Sequence, residues 1–129
     1  MIDPNRQMNC VEHIEQACNA ISLPLKAVKR LFYGKKIYEI NFSCGEEKDF
    51  MLEIQFDTIS LCCLFDDKDI CEGVYLYLDD WTDIVYYMHY CDRTYSYDMR
   101  LSSWIANGCL INVITGGMEC CLLVLPIKA

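Results

Sequence analysis

The stretch that most constrains the fold is Cys109 to Ile127, CLINVITGGMECCLLVLPI. Two apolar runs flank Thr115-Gly116-Gly117, and each has strand length rather than helix length. Gly-Gly between apolar runs signals a hairpin, because a tight turn needs residues that tolerate positive φ. The run Cys120 to Leu125 is apolar at every position. Such a strand must be covered on both faces or lie near the centre of a sheet. The rest of the chain is therefore expected to be laid around it.

Upstream, two helices precede the strands. Asn9 is expected to cap a helix running to about Ala20, with Glu12 three residues later as in a capping box. Val11, Ile14, Cys18 and Ile21 give its apolar face. Pro24 suits the first turn of a second helix, Leu25, Val28, Leu31 and Phe32 form its inner stripe, and Gly34 ends it. Lys26, Lys29, Arg30, Lys35 and Lys36 crowd this helix and its exit, which reads as a solvated face with too few aromatics for a single-strand binder.

From Lys36 the period becomes two. Tyr38, Ile40, Phe42 and Cys44 alternate with Ile37, Glu39, Asn41 and Ser43. After Gly45-Glu46-Glu47-Lys48, the residues Phe50, Leu52, Ile54 and Phe56 alternate with Met51, Glu53 and Gln55. Ile59, Leu61, Cys63 and Phe65 then face one way, and Val74, Leu76 and Leu78 alternate with Tyr75 and Tyr77. These are half-buried antiparallel strands. Asp79 or Asp80 is expected to cap a helix whose stripe is Trp81, Ile84, Val85 and Met88. Tyr95 to Leu101 reads as a strand, and Trp104-Ile105 as the start of the last hairpin. The expectation is one α+β domain over residues 1–129. It has two N-terminal helices, a mainly antiparallel sheet of about six strands with one inserted helix, and helices on one face.

Ten cysteines in 129 residues raise the question of cross-links. The N-terminus lacks a basic-then-apolar signal peptide, and no apolar run approaches the roughly 20 residues that span a bilayer. A cytoplasmic protein with reduced, buried thiols is expected, since 53% hydrophobic residues can build a core without staples.

No arrangement points firmly to catalysis or to a metal. Cys10 and His13 could share a helix face, and His89 and Cys91 lie two apart. No Cys-x-x-Cys is present, and neighbours such as Cys62-Cys63 and Cys120-Cys121 point to opposite faces of a strand. Neither histidine sits in a nucleophile motif, and Gly116-Gly117 is followed by no phosphate-binding lysine. No cofactor or metal is expected. A small enzyme with a thiol or carboxylate site is one alternative, and a homodimeric structural subunit is another.

Charge and tyrosine favour recognition. Residues 1–36 carry +3 and residues 37–129 carry −11, for a net charge of −8. Phosphates need cations, so direct nucleic-acid binding is disfavoured and a basic protein partner is favoured. Seven of the nine tyrosines fall within the 23 residues from Tyr75 to Tyr97, threaded with acids. Tyrosine offers large contact area at small entropy cost. The expected partner-binding residues are Asp79, Asp80, Asp83, Tyr86, Tyr87 and Tyr90, with Asp66, Asp67, Asp69 and Glu72. The expected function is an acidic protein-binding module, an inhibitor or immunity-type protein of phage or bacterial defence that neutralises a toxin, nuclease or other basic partner. The order helix, Leu23-Pro24, helix, strands over residues 9 to 56 resembles that of SUKH-type immunity proteins. The likeness stops there, since the aromatic and glycine positions after the second helix are not matched and the family is not assigned.

Overall fold

The period-two pattern that begins at Lys36 becomes a run of four strands, each hairpinned to the next. A computed structural model describes residues 4–44, 47–116 and 119–127, with side chains over 9–41, 50–115 and 121–127. The helices are α1 (Pro4–Ala20), α2 (Leu25–Leu31) and α3 (Ile84–Thr94), the last preceded by a 3₁₀ turn, Trp81–Asp83. The strands are β1 (Lys36–Cys44), β2 (Glu47–Gln55), β3 (Ile59–Phe65), β4 (Cys71–Leu78), β5 (Ser96–Asp98), β6 (Ser103–Ala106), β7 (Cys109–Gly116) and β8 (Glu119–Pro126).

The eight described strands form one antiparallel sheet in the order β1-β2-β3-β4-β8-β7-β6-β5. Two four-stranded meanders thus meet along β4 and β8. The apolar β8 lies near the sheet centre, paired with β4 through Val74↔Val124 and with β7 through Gly116↔Glu119. The Gly45-Glu46 turn and Gly117 lie outside the described residues. The α+β class and the antiparallel sheet agree with the sequence. Eight strands replace about six: Trp104-Ile105, expected to open the last hairpin, forms a separate strand β6 paired with both β5 and β7, and Tyr95 to Leu101 is a strand only in part. It divides into β5 and a turn at 99–102 before β6, where Asp98 Oδ1 accepts the backbone N–H groups of Arg100 and Leu101 at 2.9 and 3.1 Å. An aspartate that bonds its own downstream backbone ends the strand.

The two sheet faces differ. Leu52, Ile54, Leu61, Cys63, Val74, Leu76, Ile111, Leu122 and Val124 are fully buried on the face toward α1, α2 and α3. Tyr75, Leu123, Leu125, Leu110 and Leu64 lie on the other face, where no described helix packs. On β1 the alternation left the inward set open, and the set of Ile37 is the one that turns inward. Ile37 pairs with the buried Ile54 and packs on the core, while Tyr38 is exposed. Register with β2 decides this, because a one-residue slip moves every side chain to the other face.

α1 begins at Pro4, so Asn9 lies inside the helix rather than capping it. Proline suits a helix start because its missing N–H would have had no partner there. The link from α1 to α2 is pinned to the β3–β4 turn by Ser22 N–H to Cys71 O at 2.8 Å, Cys71 N–H to Leu23 O at 2.9 Å and Leu25 N–H to Asp69 O at 2.9 Å. Gly34, at φ 92°, makes the exit from α2 into β1 that a side chain would strain.

Candidate functional site

The connection from β4 to α3 sets the geometry of the acidic end. Asp80 is the cap: its Oδ1 accepts Thr82 N–H at 3.0 Å and the Thr82 hydroxyl at 2.6 Å. The first turn is 3₁₀, and the α-helix takes its phase from Ile84, Tyr87 and Cys91, all buried against the core. Of the expected stripe Trp81, Ile84, Val85 and Met88, Ile84 is buried and Met88 packs on the core, while the other two turn outward. Trp81 is 62% exposed and Val85 59% exposed, so this edge of the stripe faces outward. A helix advances about 100° per residue, so a small change of phase at its start turns a different set inward.

Tyr87 is the clearest displacement from the expected surface. It is 3% exposed, and its hydroxyl lies 2.7 Å from Nδ1 of His13 on α1. The Cys10 thiol lies near enough to the Tyr87 hydroxyl for each to act on the other. His13 packs edge-on to Phe56 at 4.9 Å. Burial pushes the His13 imidazole down to about 4, with Lys35 adding to the effect against the fields of Glu12 and Asp57. Burial pushes the Cys10 thiol up to about 12, with the Asp83 carboxylate acting the same way. Burial likewise raises the Tyr87 hydroxyl. A neutral imidazole, phenol and thiol thus tie α1 to α3 inside the core. A thiol held protonated is a poor nucleophile at neutral pH.

Above this layer lies a surface made by three segments. Asp79 N–H bonds Thr58 O at 3.0 Å, which seats the β2–β3 turn beside the β4–α3 connection. That contact brings Asp57 next to Asp79 and Asp80, all three exposed. Glu12 on α1 and Asp57 both act on His13, and Asp83 acts on Cys10 and Tyr87, so all three carboxylates border the same layer. Lys35 stands 4.6 Å above the Phe56 ring at this end. Trp81 follows Asp79 and Asp80 directly in the chain and is exposed on the 3₁₀ turn. Asp57 was missed in the sequence because its place beside Asp79 depends on pairing between the β2–β3 turn and the β4–α3 connection, and Glu12 because it reaches this layer only through the packing of α1 around His13. The signal that could have found Trp81 was its place directly after two aspartates.

The other expected site residues separate into different places. Asp66, Asp67, Asp69 and Glu72 sit at the opposite end of β4, a strand that spans about 23 Å over its eight residues. Asp66 builds the turn there, accepting Lys68 N–H at 2.8 Å and Ile70 N–H at 3.0 Å. Asp69 adopts φ 60° in the same turn, and Asp67 is exposed beside it. Glu72 borders an apolar groove of about 600 Å³ on the helix-free face, lined mainly by Leu64, Tyr75, Leu110, Leu123 and Leu125. Tyr90 is half-buried and packs edge-on to Tyr95 at 5.8 Å, and Tyr86 is half-buried too. The ten residues therefore do not make one surface. Asp79, Asp80 and Asp83 share the β4–α3 connection with Trp81, the Asp57-Thr58 turn is bonded to it, and Asp66, Asp67, Asp69 and Glu72 lie a strand-length away.

Among the described residues no group of three or more His, Cys, Asp and Glu side chains could hold a metal ion, and no helix is long and apolar enough to cross a membrane. Comparison with protein-family models, with curated proteins and with solved structures finds no match for the chain.

Proposed function

We propose that the protein is a binding module whose working surface is the ridge of Asp57, Asp79, Asp80 and Trp81, and that its partner is a basic protein. The observation that carries this reading is Trp81. A tryptophan 62% exposed, on a 3₁₀ turn capped by Asp80 and flanked in the chain by Asp79, Asp80 and Asp83, gives most of its ring to solvent rather than to the core. Tryptophan dominates the energy of protein interfaces when it is seated in a partner's pocket, and surrounding charges set the rate and selectivity of encounter. Carboxylates presented this way can occupy a site built for phosphates, which suits an inhibitor or immunity-type protein acting on a nuclease or toxin in the cytoplasm.

The test is calorimetry with the product of the adjoining gene. Binding is expected to weaken by at least about 30-fold in Trp81→Ala, the scale of an interface hot spot. Binding that is unchanged in Trp81→Ala and in the charge-reversed triple variant Asp57→Lys, Asp79→Lys, Asp80→Lys would remove the reading.

A second reading, a homodimer joined through the helix-free sheet face, is favoured by area. The chain exposes 8382 Å² at 15.0 kDa. A monomer of that mass exposes about 7,000 Å². The excess is comparable with the roughly 800 Å² that each partner gives to a standard interface. Light scattering at high protein concentration, with Leu123→Asp as control, decides it: a monomer in both removes the homodimer.

A further inference from the structure

The far end of α3 carries a cavity that the acidic ridge does not use. It holds about 360 Å³ and is lined by Met88, Asp92, Tyr97, Ser102, Trp104 and Val113. Trp104 is buried and donates its Nε1–H to Oδ1 of Asp92 at 2.9 Å. A neutral donor orients the carboxylate without cancelling its charge, and leaves the second oxygen for another donor. Tyr97 packs against Trp104 at 5.3 Å and 67°, which fixes the plane of a ring that is half exposed. The rim is set by the Asp98 turn and by Ser102 at φ 50°.

We infer that this cavity receives the guanidinium group of an arginine side chain from the basic partner; the inference rests on the binding reading above. A guanidinium is planar and charged, so it can stack on Tyr97 while its N–H groups meet the open edge of Asp92. Met88 and Val113 supply apolar wall for the methylene stem, which arginine buries readily. An ammonium would gain the charge but lose the stacking and the fork. On α3, Val85, Met88 and Asp92 follow a spacing of three and four, so they line one side of the helix.

The test uses N-ethylguanidinium on the full chain carrying Trp81→Phe, which leaves the Trp104 indole N–H as the single indole resonance. That resonance should shift saturably with a dissociation constant in the millimolar range, as expected for so small a ligand. Asp92→Asn keeps an oxygen for the indole and removes the charge, and should weaken the response by about tenfold or more. N-ethylurea, planar but neutral, should give no shift. No response to N-ethylguanidinium, an equal response to N-ethylurea, or unchanged affinity in Asp92→Asn overturns the assignment. The two readings fail separately. Loss of partner binding in Trp81→Ala, with no guanidinium response, sinks the cavity and leaves the ridge. A guanidinium response that needs Asp92, with no sensitivity of the partner to Trp81 or the acids, upholds the cavity and sinks the ridge.

Discussion

At the residue scale, His13 and Tyr87 carry the sharpest expectations. His13 is held to about 4 in the fold, mainly by burial, against an ordinary value of 6.5. The folded state therefore favours the neutral ring, and the unfolded chain binds more protons between the two values. His13 contributes its full stability above about pH 6.5, and that contribution is lost as pH falls through about 4. Thermal midpoints from pH 7 to pH 4 should fall more steeply in the native chain than in His13→Asn, and proton NMR should show the His13 ring still neutral at pH 5.5. Equal slopes in both proteins would refute this. Tyr87→Phe should destabilise by about 1–3 kcal/mol, because it strips the partner from a buried imidazole. Chemical denaturation checks it against Tyr86→Phe. Tyr87 was legible as an aromatic on a helix but not as a core residue. Its burial depends on α1, 74 residues away in the chain, bringing His13 to meet it.

At the element scale, the 3₁₀ turn before α3 does two jobs that substitutions can separate. Asp80→Ala removes the cap and should cost about 1 kcal/mol, seen as a lower denaturation midpoint. Asp80→Asn keeps an accepting oxygen, so it should leave stability close to native while lowering partner affinity. If both variants lose affinity only in proportion to lost stability, Asp80 is a cap and nothing more. The strands β2, β3 and β4 were readable because each has two unlike faces and neighbours on both sides. The inward set of β1 was left open because it is an edge strand, with apolar residues in both alternating sets and only β2 to choose between them. α3 was misread in part because a single 3₁₀ turn shifts its phase, and a stripe with Tyr86, Tyr87 and Tyr90 beside it has apolar surface nearly all round.

At the scale of the whole molecule, charge is unevenly shared between the ends of β4. The ridge gathers carboxylates from α1, the β2–β3 turn and the β4–α3 connection, while the Asp66 to Glu72 group is spent on a turn about one strand-length away. Association with a basic partner should therefore slow as salt rises from 50 to 500 mM, as screening shortens to a few ångströms. Stopped-flow rates that ignore salt would count against steering by the ridge. Composition and periodicity by themselves determined that a chain this apolar closes on a mixed helix-and-sheet core, that residues from Lys36 onward alternate, and that the last hairpin lies deep within it. Those properties are local, written in the spacing of apolar side chains over one or two turns or strands. Which acids stand together, which tyrosine is buried and which tryptophan is left outside were decided only in three dimensions. Each depends on register and on contacts between segments far apart in the chain, and no local spacing encodes those.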